Sequence, residues 1–358
     1  MKRVRVLLLL FCSLLAGAQA KPSTPPAGKT GAFKFAISGD SRNCGDIVMP
    51  AIAADARAQG AAFYWHLGDA RWLKGIDEDI ANAKDAPAPS LEQYRGMAWQ
   101  DFIRHQLQAW GDTPVMLGIG NHELYGNKTR QEFLATFGHW ANQPWVEKMR
   151  LHDGPNDREP RTYFHWIDHG IDFIYLDNAS HDQFDEAQMN WFAGVLGRAA
   201  KDPDVRALIV GAHAPLPDSF GKGHAMDDWP VGVASGRRAY QLLLDFKANS
   251  GKGVTFFGSH QHFYMPNIYN TAYWNANGGV LPGYIVGSAG AHRYALPGNA
   301  PAGSKTMVYG YVLGTADASG ATKFEYREVY ESDVPKNVRA RYAPDFIHWC
   351  FAENGDRK

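Results

Sequence analysis

The chain has 358 residues, a formal net charge of −1 at pH 7, and 45% hydrophobic and 13% aromatic residues. That is a globular composition, neither disordered nor fibrous, and the length suits one large domain or two small ones. A charge so near zero gives no electrostatic reason to expect nucleic acid or an anionic membrane as partner.

The chain opens on MKRVRVLLLLFCSLLAGAQA, a basic start, a short apolar run and a small-x-small end at Ala18-Gln19-Ala20. Residues 1–20 therefore read as a secretory signal peptide whose apolar run is too short for a good membrane-spanning helix. Export to the periplasm or the exterior is expected. KPSTPPAGKTG begins a flexible lead-in over residues 21–32. A main domain is expected over residues 33–330 and a C-terminal tail over 331–358. Beyond the signal two cysteines remain, Cys44 and Cys350. They either form one bridge between the tail and an early loop or stay as free thiols, and sequence supplies no distance to decide.

From Phe33 onward, apolar runs alternate with amphipathic stretches, the pattern of a layered α/β domain. AFKFAISGD reads as a strand, DIVMPAIAADARAQG as a helix closed by Gly60, and AFYWHLGD as a second strand. LEQYRGMAWQDFIRHQLQAW is a helix with aromatics on its face, and PVMLGIGNHE a strand. RTYFHWIDHGIDFIYLDN reads as a hairpin and DEAQMNWFAGVLGRAA as a helix with an acidic first turn. VRALIVGAH, GVTFFGSHQH and GYIVGSAGAH are further strands, and MVYGYVLGTADASGATKFEYREVY closes the series as a hairpin around Ala-Ser-Gly.

Five of these strands run out into polar residues, at Asp40, Asp69, Asn121-His122, His213 and His260-x-His262. Sites in open α/β sheets form beyond the carboxyl ends of strands. Strands sharing an orientation would bring these ends together. The inventory is two Asp, one Asn and four His. Carboxylate, amide oxygen and imidazole suit a divalent or trivalent transition metal such as Fe, Mn or Zn, and no cysteine-rich soft site is available.

SGDSR, LGDARW, GIGNHE, VGAH and GSHQH, in that order, resemble the blocks of the calcineurin-like metallophosphoesterases, most closely the purple-acid-phosphatase-like members. The resemblance extends from about Phe33 to Tyr330. It implies a four-layer α/β sandwich of two mixed β-sheets flanked by helices. It also implies a metal-dependent hydrolase of phosphate esters, a phosphomonoesterase or phosphodiesterase acting through metal-activated water, with a phosphorylated small molecule as substrate.

Carried over, the family pattern makes Asp69 a bridge between two metals. Asn121, His213 and His260 complete one position, and Asp40 and His262 hold the other. His122 points at the substrate, as a protonated acid or oxyanion partner, and Glu123 orients it.

One departure concerns the first metal position. Most members carry His two residues after the first Asp, where this chain has Arg42. Purple acid phosphatases lack that His but have a Tyr ligand three residues after the second Asp, where this chain has Trp72. Neither guanidinium nor indole can ligate, so one or two ions are expected, with the first position weak. Arg42 is either a phosphate-binding residue or a structural ion-pair partner. The alternative to an enzyme is a metal- or phosphate-binding protein on the same scaffold with weak or lost turnover.

Overall fold

The computed structural model describes residues 33–356 apart from Lys222 and Ala318; the expected signal peptide and lead-in lie outside the described residues. Among the described residues, eleven strands form two sheets. The first sheet contains β1 (Phe33–Ser38), β2 (Tyr64–His66), β3 (Val115–Leu117), β10 (Tyr309–Ala316) and β11 (Thr322–Val329), in the order β11-β10-β1-β2-β3. The second contains β4 (Phe164–Asp168), β5 (Ile171–Leu176), β6 (Ala207–Ala212), β7 (Gly253–Gly258), β8 (Tyr264–Pro266) and β9 (Gly283–Val286), in the order β4-β5-β6-β7-β9-β8. Both sheets are mixed. β1, β2 and β3 are parallel in one, and β5, β6, β7 and β9 in the other. Antiparallel pairs close both edges of the second sheet and the β11 side of the first.

Aromatic side chains join the sheets face to face. Phe35 meets Phe173 at 5.0 Å between ring centroids, Trp65 meets Trp166 at 5.2 Å, and Phe257 meets Phe324 at 5.0 Å, all edge-on. Edge-on rings set the positive rim of one against the negative face of the other, worth about 0.5–1.5 kcal/mol per pair beyond burial. Helix Gly45–Ala58 follows β1 and buries Ile47, Val48, Ala51 and Ile52. Helix Leu91–His105 starts where Ser90 and Gln93 cap one another reciprocally.

The six-stranded sheet packs a second core against helices Glu186–Lys201 and Pro230–Ser250. The latter, 21 residues long, was not expected from the sequence. Its Gly236 reads as a helix breaker, yet a Cβ there would collide with Pro217. The helix needs that glycine in order to pack closely.

Cys44 and Cys350 form a disulfide, which settles the choice the sequence left open. It ties helix Pro344–Ala352 to the turn after β1. Buried Arg293 secures the same segment, donating to the carbonyls of Phe351 at 2.7 Å, Asn354 at 2.7 Å and Cys350 at 3.1 Å. No helix among the described residues is long and apolar enough to cross a membrane.

Candidate metal centre

The parallel strands deliver their carboxyl ends to one side of the molecule. Three of the turns that follow them hold a non-glycine residue in the left-handed region, Asp40 at φ 58°, Asp69 at φ 59° and His260 at φ 65°. Such a conformation costs roughly 1–3 kcal/mol and persists only where surrounding bonds enforce it. Here they do. Asp40 N donates to Gly68 O and Ser41 N to Asp69 O, both at 3.0 Å, while His260 N donates to Asp40 Oδ2 at 2.7 Å. Gly120 lies against this junction, and a Cβ there would collide with Asp69 Oδ1.

Three donor atoms gather about a fourth, His213 Nε2. The ring is oriented by its own Nδ1–H, which donates to Leu67 O at 3.1 Å. Nε2 then lies 3.0 Å from Asn121 Oδ1, 2.9 Å from His260 Nδ1 and 3.3 Å from Asp69 Oδ1. Asp69 and His213 are fully buried. Burial opposes charge on His213, but Asp69 outweighs it and raises the imidazole to about 9. Burial and the His213 charge push His260 well below its ordinary value. Several lone pairs thus face one point, and in the metal-free protein a proton on His213 satisfies only some of them. A tetrahedral transition metal 2.0–2.1 Å from its ligands sets them about 3.3 Å apart, so the residues fit such an ion in spacing and in chemistry.

The first position differs. His262 Nδ1–H donates to His292 O at 2.5 Å, which turns Nε2 inward, 3.2 Å from Asp40 Oδ1. Arg42 Nη2 reaches that same Nε2 at 2.8 Å. Arg42 Nη1 contacts His122 Nε2 and lies 3.9 Å from Asp69 Oδ2. Asp40 Oδ1, Asp69 Oδ2 and Arg42 Nε are buried without a hydrogen-bond partner.

His122 and Glu123 depart from their expected roles. His122 Nδ1–H donates to the Trp72 carbonyl, so its Nε2 lone pair faces Arg42. Burial, reinforced by Arg42 against the pull of Asp69, lowers His122 to about 4. It is therefore neutral near pH 7 in this state and not the protonated group expected. Glu123 does not contact His122. Its carboxylate accepts the backbone N–H groups of Gly120 at 2.6 Å, Ala70 at 2.8 Å and Asp69 at 2.9 Å. Buried N–H groups at two adjoining turns require an acceptor, and Glu123 supplies it, locking the end of β2 to the end of β3.

Tyr294 was overlooked in the sequence. Its ring stacks on His262 at 4.0 Å between centroids and on His224 at 5.5 Å. The sequence marks it only by its place just after the strand-end GSAGAH. His224 also lies 5.4 Å from the His260 ring, which puts it beside the centre. A second acid-rich group, Asp46, Asp101 and His105, also gathers donor atoms, but Arg71 Nη2 donates to both aspartates.

No protein-family model and no curated protein matches the sequence. Among solved structures, purple acid phosphatase PPD1 from yellow lupin (Lupinus luteus) seeds is similar at TM-score 0.53 and 16% identity, over 84% of this chain and 53% of that one. PhoD is similar at TM-score 0.50 and 15% identity, over 84% of this chain and 70% of that one. The chain thus spans about half the length of the lupin phosphatase. The likeness establishes the fold, a two-sheet α/β sandwich.

Proposed function

We propose that this chain is a metal-dependent hydrolase of phosphate esters, with the metal held by Asp69, Asn121, His213 and His260. The observation that carries the reading is that the other three donors lie 2.9–3.3 Å from the fourth, His213 Nε2. Oxygen and imidazole donors without thiolate suit Zn, Mn or Fe. When bound, such an ion neutralises phosphoryl charge and lowers the pKa of a water toward 7. Hydrolysis then needs no nucleophilic side chain.

The remaining residues hold the centre in place. His122 has Nδ1–H committed to the Trp72 carbonyl and Nε2 accepting from Arg42 Nη1, so it steadies the guanidinium. Asp40 fixes the His260 backbone through its N–H, and Glu123 holds the Asp69 turn. The bridge between Cys44 and Cys350, with the signal-like opening, supports an exported protein, since disulfides persist outside the cytosol.

A second reading is a phosphate- or metal-binding protein without efficient turnover. It is favoured by the contacts that Arg42 makes with the inward nitrogens of both His122 and His262. The test is hydrolysis of an aryl phosphate and a bis-aryl phosphate by chelator-stripped protein resupplied with Zn or Mn. Activity should return with metal in the wild type and not in His213→Ala. Full metal loading without turnover on either ester would favour the binding protein.

A further inference from the structure

We propose that the Arg42 guanidinium is the built-in second cation of this centre. It stands beside Asp40 and His262 where a second metal would sit, so the site takes one metal ion and presents free N–H groups to the substrate phosphoryl group. The inference rests on the phosphoesterase reading above and specifies its cation count.

Three observations carry it. The first is competition for a lone pair. His262 has one nitrogen to offer, because Nδ1–H is bonded to the His292 carbonyl. Arg42 Nη2 takes that nitrogen at 2.8 Å. A guanidinium stays charged in proteins, so it can yield the position only by moving. It is poorly placed to move. Its side chain is only 8% exposed, and Cys44, two residues on, is tied by the disulfide and by backbone bonds to Arg42 O at 2.9 Å and Gly290 O at 3.1 Å.

The second is that the donors are not gathered. Donor atoms of Asp69, His213 and His260 lie within 4.8 Å of one another, whereas Asp40, Asp69 and His262 form no such group. The residues around the second position do not fit a metal while Arg42 stands among them.

The third is charge and valence. Asp40 and Asp69 contribute −2, and Arg42 with one divalent ion contributes +3, leaving +1 for a phosphate anion. A second divalent ion would bring the buried centre to +3 beside a fixed cation. Meanwhile two of the five guanidinium N–H bonds go to His122 and His262, and Nε–H has no acceptor. Three N–H groups therefore remain for a ligand. Phosphoryl oxygens are the acceptors this planar fork suits.

The experiment is a titration of chelator-stripped protein with Mn²⁺ and with Zn²⁺, read by calorimetry and by elemental analysis after gel filtration. Inorganic phosphate is then titrated into the metal-loaded protein. Wild type should bind one equivalent of metal, and Arg42→His, which places an imidazole beside Asp40, should bind two. Arg42→Gln should retain its metal at the His213 position and bind phosphate about tenfold to a hundredfold more weakly. Should Arg42→His fail to fold, the wild-type stoichiometry and the Arg42→Gln phosphate affinity still decide. Two equivalents in the wild type would overturn the inference and leave the proposed function intact. No bound metal in the wild type would overturn the proposed function itself. One equivalent in both wild type and folded Arg42→His would show that the guanidinium does not set the count, and unchanged phosphate affinity in Arg42→Gln would remove its ligand role.

Discussion

Two buried arginines sit among carboxylates in this molecule, and their surroundings differ in one respect. Arg71 is fully buried and donates to Asp46 Oδ1 at 2.5 Å, to Asp79 Oδ1 at 3.1 Å and to Asp101. Arg341 covers Asp46 Oδ2 at 2.7 Å, the Tyr94 hydroxyl covers Asp77 Oδ2 at 2.6 Å, and backbone N–H groups cover Asp77 Oδ1 and Asp79 Oδ2. Burial raises Asp101 to about 6 and Asp79 well above its ordinary value, which brings the number of charges on four aspartates closer to that on two arginines. Around Arg42 the carboxylates keep orphaned oxygens, Asp40 Oδ1 and Asp69 Oδ2. A buried carboxylate oxygen without a donor is costly. In the Arg71 network the orphans are Arg71 Nε and Gln106 Oε1 and no carboxylate oxygen, whereas beside Arg42 two carboxylate oxygens stand unused, where a cation or a ligand can take them.

The contrast is broken most severely by substitution. Arg71→Met strips four buried aspartates of their shared partner and should cost about 3–5 kcal/mol of unfolding free energy, read by urea denaturation. Asp69→Asn should abolish metal uptake and cost the metal-free protein less than Arg71→Met does, because it ends one ion pair, with His213, where the other strips four carboxylates of their partner. A small loss in the first variant and a large one in the second would reverse the assignment of the two clusters.

The disulfide joins the Arg42 turn to the C-terminal helix across 306 residues. Replacing both cysteines by serine should lower stability by about 2–5 kcal/mol through loop entropy in the unfolded chain. If the bridge also holds Arg42 in place, phosphate affinity should fall in the same variant. Unchanged affinity with lowered stability would separate the two roles.

A third buried cation, His165, makes the comparison sensitive to pH. Its two nitrogens contact Asp153 at 2.8 Å and Asp172 at 2.9 Å, and these carboxylates override burial to raise it to about 9. Its partner Asp172 is itself raised, by burial, against the pull of His165, whereas Asp153 is lowered with help from Arg198. The His165 direction governs, because both of its nitrogens are engaged by carboxylates. A group raised in the folded state stabilises fully below its unfolded value of 6.5, and that stability is lost as pH rises through about 9. The contribution is about 3 kcal/mol. Unfolding free energy should therefore fall between pH 6.5 and 9, and His165→Gln should flatten the decline. An equal decline in the variant would contradict this.

The smallest effect is on metal affinity. The His213 proton, held up to about 9 by Asp69, must leave before the nitrogen can ligate. Affinity should climb about tenfold per pH unit below that value and level off above it. Calorimetry in buffers of differing ionisation heat should register about one proton released at pH 7.

Strand-end polar residues were legible because each follows directly on an apolar run whose period and length mark a buried strand. The structure brings Asp69, Asn121, His213 and His260 together at those ends, with Asp40, Arg42, His122 and His262 beside them. The direction of Arg42 was not legible. A guanidinium after a strand turns in or out according to contacts 80 and 220 residues away. Glu123 misled for a related reason, since adjacency to His122 suggested a side-chain partner while the true demand came from three backbone N–H groups. Helix Pro230–Ser250 was hidden by Gly232 and Gly236, which mark close packing there and not a break. β8 is three residues long and offers too little pattern to read.

Metal should enter the His213 cluster and not the one around Arg71. Crystals of the stripped protein soaked in Mn²⁺ or Zn²⁺, with diffraction recorded on both sides of the metal's absorption edge, test it directly. The account predicts one anomalous peak per chain, about 2.0–2.2 Å from His213 Nε2, His260 Nδ1, Asn121 Oδ1 and an Asp69 oxygen, and none beside Arg71. No peak at His213, or a peak among Asp46, Asp101 and His105, would contradict it.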